Sequence, residues 1–166
     1  MEDDSINYVI ATYSGKLNSR NDKFVGNELN IQLSILKRII DAKKILNIKC
    51  LISHITVVCP QVDKSIEYKN YYDKKWEKEF SDIKFNFITY VGKNQHHSYD
   101  QWIQGYMRFP YVKYHLFMED DYCIEPDNFT FDLKLIDMYK NKFPKNIGYL
   151  CSLFRDVNNH GPHIAI

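Results

Sequence analysis

Three consecutive carboxylates, Glu119-Asp120-Asp121, follow the apolar run Tyr114-His115-Leu116-Phe117-Met118 and precede Tyr122-Cys123-Ile124. Like charges at this spacing repel, and withdrawing them from water is costly unless a cation or hydrogen-bond donors neutralise them. Hard carboxylate oxygens suit Mg²⁺ or Mn²⁺, which retain some water and bridge to substrate phosphates. The same triplet occurs at Glu2-Asp3-Asp4, in a polar terminus where it reads as a solvated run. With 21 acidic residues in 166, a triplet arises readily by chance. The apolar runs on both sides set the second copy apart.

Other reactive side chains are weaker candidates. His96-His97 lies in a polar loop and reads as an exposed pair. His115, inside an apolar run, reads as a core residue with satisfied nitrogens. Residues 155–163 place an acid and two imidazoles in one polar stretch, which serves equally as a plain turn. Cys50, Cys59, Cys123 and Cys151 form no CxxC and lie in or beside apolar runs, so they are expected as free thiols of a reducing compartment.

Composition narrows the classes. Lys+Arg 22 against Asp+Glu 21 gives a formal net charge of +1, with no general field to draw in nucleic acid or an anionic membrane. No apolar run approaches the roughly 20 residues that cross a bilayer. The acidic start lacks the apolar core of a signal peptide, so a cytoplasmic protein is expected. The Asn128-Phe129-Thr130 sequon has no secretion signal to support it.

The elements that must position the acids follow from periodicity. Residues 8–12, 55–59, 85–91 and 114–118 are short apolar runs closed by polar, glycine or proline residues, and 147–154 is a fifth. Residues 27–47 read as an amphipathic helix with Asn27 as N-cap and Leu29, Leu33, Ile35, Leu36, Ile39, Ile40 and Leu46 on its apolar side. Tyr72, Trp76 and Phe80 recur every fourth residue and predict a second helix. Ser98 and Gln101 match a capping box, opening a helix expected to bury Tyr99, Trp102, Ile103 and Tyr106 and to end before Pro110. Another helix is expected over residues 131–142. This alternation implies one α/β domain over residues 1–166 with a mostly parallel central sheet flanked by helices. The apolar end, His163-Ile164-Ala165-Ile166, reads as the start of a strand and suggests a piece of a longer protein.

That order of elements, with Leu116-Phe117-Met118-Glu119-Asp120-Asp121 as its motif, resembles a glycosyltransferase of the Rossmann-like GT-A fold, whose DXD motif has an EDD form. The resemblance implies transfer of a sugar from a nucleotide-sugar donor, such as a uridine diphosphate sugar, to a glycan or other hydroxyl acceptor. It implies a divalent ion, Mn²⁺ or Mg²⁺, bound directly by Asp121, with Glu119 and Asp120 on the ribose or in the metal shell. The loop after the first strand would hold base and ribose, which here falls on Thr12, Tyr13, Ser14 and Arg20. Hydroxyls donate, a Tyr ring stacks on a base, and an Arg grips a diphosphate; an ordinary polar turn accounts for the same residues. Asp100 falls in a region used around ribose and donor sugar, although a first-turn acid also complements the helix dipole. His160 and His163 fall where a late histidine completes the metal shell, and Asp156 where an acid serves as base.

Two other classes fit less well. A nucleotidyltransferase carries a glycine-rich basic loop after its first strand, of which Ser14-Gly15-Lys16 is a faint version. A non-catalytic domain of transferase fold would keep the fold and lose metal affinity.

Overall fold

The structure, a computed structural model, describes residues 4–14, 27–62, 64–92, 98–122, 124–142, 149–151 and 163–165. Arg20, His96, His97, Cys123, Asp156 and His160 lie outside the described residues.

Parallel strands β1 (Ile6–Ala11), β2 (Ile52–Pro60), β3 (Lys84–Tyr90) and β4 (Tyr114–Glu119) alternate with helices α1 (Asn27–Ile45), α2 (Ser65–Glu79) and α3 (Ser98–Arg108). Helix α4 (Phe131–Lys142) follows, then β5 (Tyr149–Cys151) and β6 (His163–Ala165). The sheet order is β3-β2-β1-β4-β6-β5. The fold is α/β with a mostly parallel sheet, and the chain turns back between β1 and β4, where successive strands begin to be added on the opposite side. Of the expected fifth run, 147–154, the described residues Tyr149–Cys151 form β5, and β6, antiparallel to both neighbours, separates it from β4.

Alternation along each strand sorts side chains between two cores, as a period of two requires. Ile6, Tyr8 and Ile10 join Ile55, Val57, Leu116 and Met118 under α1, α2 and α4. Val9, Ala11, Val58 and Phe117 face Trp102 of α3. Helix α1 buries Leu29, Leu33, Leu36, Ile39 and Ile40 as its stripe predicts, and each such side chain contributes about 1.5–3 kcal/mol. Leu46, past the helix end, is exposed. Tyr72, Trp76 and Phe80 are buried; Tyr72 stacks on Phe87, Trp76 on Phe80, and Phe80 on Phe85.

Helix α3 corrects the expected packing. Trp102 is buried, but Tyr99, Ile103 and Tyr106 are largely exposed. The face against the sheet is instead Gln101, Trp102 and Gly105. Gly105 lets the helix backbone reach β1: an added Cβ would lie 2.3 Å from Val9 Cγ1. Tyr106, although largely exposed, keeps an edge contact with the His115 ring of β4, centroids 4.9 Å apart.

A polar network lies under α3. Thr56 Oγ1 donates to Asn7 Oδ1 at 2.8 Å, while Asn7 Nδ2 donates to the Gly105 carbonyl and meets His115 Nδ1, each at 3.3 Å. His115 Nε2 pairs with the Val112 carbonyl at 3.1 Å. With Nδ1 accepting and Nε2 donating, this arrangement holds a neutral imidazole. Burial pushes the His115 pKa down to about 4 from 6.5, against the opposing pull of the Val112 carbonyl. Below pH 6.5 the unfolded chain therefore takes up a proton that the folded chain refuses, and stability falls until about pH 4. His115→Gln is expected to remove about 2–3 kcal/mol of the stability lost between pH 6.5 and 4.5. Urea unfolding of both proteins at the two pH values measures it, and parallel losses would exclude this imidazole as the cause.

Candidate functional site at the β1–β4 crossing

In an open α/β sheet, the crevice outside the carboxyl ends of the strands, where strand order reverses, collects ligands. That position here lies between β1 and β4. The register pairs Ala11 with Glu119, so the next residues, Thr12 and Asp120, leave the sheet side by side. Asp120 N donates to the Ala11 carbonyl at 3.0 Å, and Thr12 N to the Val58 carbonyl at 2.9 Å. Helices α1, α2 and α3 each follow one of these parallel strands and so begin at this edge. Their first turns direct partial positive charge toward it.

The three acids occupy different environments. Asp120 is buried and accepts from Thr12 Oγ1 at 2.7 Å. Glu119, half-buried, accepts from Ser98 Oγ at 2.6 Å. Asp121 is exposed. Hydroxyl donors thus engage Glu119 and Asp120. Ser98 opens α3 and its hydroxyl donates to Glu119, while Gln101 is buried.

The other predicted residues divide. Thr12 and Ser14 are buried at the exit of β1, Ser14 Oγ donating to the Val62 carbonyl at 3.2 Å and accepting from Cys59 Sγ at 3.5 Å. Tyr13, between them, is half-buried. Asp100 lies in the first turn of α3, partly exposed, and its charge helps to raise the Tyr90 pKa, behind the larger effect of burial. The backbone of His163 pairs with Phe117, two positions before Glu119 on the neighbouring strand. Cys50 and Cys59 are free thiols, and burial raises both pKa values.

Three participants escaped the sequence reading. Gln32, on α1, donates through Nε2 to the Glu119 carbonyl at 3.2 Å and to the Tyr122 carbonyl. Trp102 Nε1 donates to the Met118 carbonyl at 3.0 Å, tying α3 to the end of β4. The phenol of Tyr72 has its pKa pushed up by burial first, then by neighbouring Tyr68, Tyr71, Asp120 and Glu28. Gln32 did leave a signal, because it interrupts the stripe formed by Leu29, Leu33 and Leu36 with a polar group.

Among the described residues, no three His, Cys, Asp or Glu side chains form a ready metal cage. Mg²⁺ or Mn²⁺ needs no such cage when one or two carboxylates and substrate phosphates share the coordination. Asp121, with Glu119 and Asp120 behind it, fits that mode. Among the described residues, no helix is long and apolar enough to cross a membrane. The chain matches no family model and no curated protein by sequence.

Proposed function

We propose that this chain is the donor-binding domain of a metal-dependent glycosyltransferase, taking a nucleoside diphosphate sugar, preferably of uridine, and passing the sugar to a glycan or other hydroxyl acceptor. The observation that carries this reading is the Thr12–Asp120 hydrogen bond, which joins the exit of β1 to the acid run where strand order reverses. Asp121, exposed at that crevice, is assigned the contact with Mn²⁺ or Mg²⁺. Bound there, such an ion would supply positive charge to offset the negative charge that develops on the diphosphate as the sugar leaves. Glu119 and Asp120, fixed by Ser98 and Thr12, contribute negative potential and line the ribose side. Tyr13 is assigned to stacking on the base, and Asp100 to the ribose and donor sugar. Free Cys50 and Cys59 accord with a reducing, cytoplasmic setting.

A melting-temperature screen of nucleotide sugars, with and without Mn²⁺, tests base, sugar and ion together. A donor present at about 100 times its dissociation constant adds about 2.7 kcal/mol of stability. That is a rise of about 5–10 °C for a chain of this size. Asp121→Ala is expected to abolish the Mn²⁺-dependent part while remaining folded. An undiminished shift in that variant removes the site assignment, and no response to any nucleotide sugar overturns the function.

A further inference from the structure

We infer that Gln32 is a positioning residue for the acid run, acting from α1 through the backbone of the turn that carries Asp120 and Asp121; this rests on the metal-site reading above. Tyr122 N donates to the Glu119 carbonyl at 3.1 Å, closing a four-residue turn whose central residues are Asp120 and Asp121. Gln32 Nε2 grips the carbonyls of both end residues, Glu119 and Tyr122. Asp120 is further fixed by Thr12, so the direction in which Asp121 leaves the turn depends on how the two ends are held.

The side chain is suited to this task and to little else. Gln32 is 1 % exposed, set among Leu29, Leu33 and Leu36 on the apolar side of α1. Its amide has one stable orientation, because the reverse would set Oε1 against two carbonyl oxygens. In that orientation Oε1 is buried with no hydrogen-bond partner among the described residues. A glutamine that only filled space would incur this desolvation for nothing, and a leucine or methionine would fill the volume without it. The donated amide hydrogens, which neither replacement supplies, are what the position requires. Gln32 touches no proposed ligand; it acts by holding the groups that do.

The test is Mn²⁺ alone, titrated into wild type, Gln32→Met and Gln32→Glu, with free Mn²⁺ read by electron paramagnetic resonance and folding by circular dichroism. Methionine keeps length and burial without the donor. Glutamate keeps the shape and sets an oxygen against both carbonyls in place of the donor, and it serves as the second variant where methionine perturbs folding. Each is expected to weaken Mn²⁺ binding about tenfold, the scale of outer-shell substitutions at metal sites. A residue that merely supports the fold would lower the melting temperature and leave the dissociation constant of the folded protein unchanged. Variants that bind Mn²⁺ within twofold of a binding wild type overturn the role of Gln32 alone. A wild type that binds no Mn²⁺ overturns the metal site and the positioning role together.

Discussion

Asp132→Ala is expected to destabilise the fold by about 3–5 kcal/mol, because it strands a buried ammonium. Lys43 Nζ lies 2.6 Å from Asp132 Oδ1, with the two side chains 1 % and 0 % exposed. The same ammonium donates to the Lys49 carbonyl at 2.7 Å, and Asp132 Oδ2 accepts from Leu51 N at 2.9 Å. One ion pair therefore fastens the end of α1, the start of α4 and the chain entering β2. Small domains are stable by about 5–15 kcal/mol in all, so this loss is a large fraction. Pairing the change with Lys43→Met removes the stranded charge and is expected to restore part of the loss, leaving the Leu51 amide and the Lys49 carbonyl without these partners. Denaturant titrations of the single and double variants at an unchanged m-value measure both effects. A loss below about 1 kcal/mol for Asp132→Ala would mean that water reaches the pair.

Gly105→Val should unfold the protein at a temperature lower by about 6–12 °C. An added Cβ meets Val9 Cγ1 at 2.3 Å and Val58 Cγ2 at 3.3 Å, both on β-branched side chains held within the sheet. Overpacking of this kind costs about 1–3 kcal/mol, and the extra γ carbons of valine place the change at or beyond the upper end. Alanine gains about 1 kcal/mol of helix propensity over glycine, so Gly105→Ala is expected to lose less. The displacement would also loosen the Trp102 bond to Met118 and the Ser98 bond to Glu119, linking a packing defect to the crevice. Val9→Ala removes the clashing methyl groups and should rescue Gly105→Ala in a double-mutant cycle. If the two losses simply add, α3 has room to move.

Much of the architecture was readable from periodicity. Buried parallel strands are nearly continuous apolar runs, and α1 shows its stripe plainly, so elements from β1 to α4 fall within a few residues of expectation. The expectation failed where tertiary geometry overrode a local pattern. The apolar side chains of α3 predict burial, but Gly105 brings the backbone onto Val9, and Tyr99, Ile103 and Tyr106 are largely exposed. The Lys43–Asp132 pair spans 89 positions and leaves no spacing signature. Its trace is a lysine seven residues after Leu36 on the buried side of α1, just as Gln32 interrupts that side about three turns before the lysine. At the crevice, the acid run and its place after an apolar strand were legible. The sequence left open whether donors or a cation neutralise it. Hydroxyls from Thr12 and Ser98 answer for two of the acids, and neither partner could be assigned without the register of β1 and the approach of α3.

The place of β6 in the sheet has a consequence for how the polypeptide matures. β6 bonds to β4 on one side and β5 on the other, so β5 has no seat until a strand emerging later is laid between it and the parallel quartet. On the ribosome, β1 to β4 can associate as each crossover is completed, while the open margin of β4 waits for residues 163–165. Until they arrive, that margin offers unpaired amides and carbonyls to any passing extended chain, the condition under which nascent proteins recruit chaperones or stick to one another.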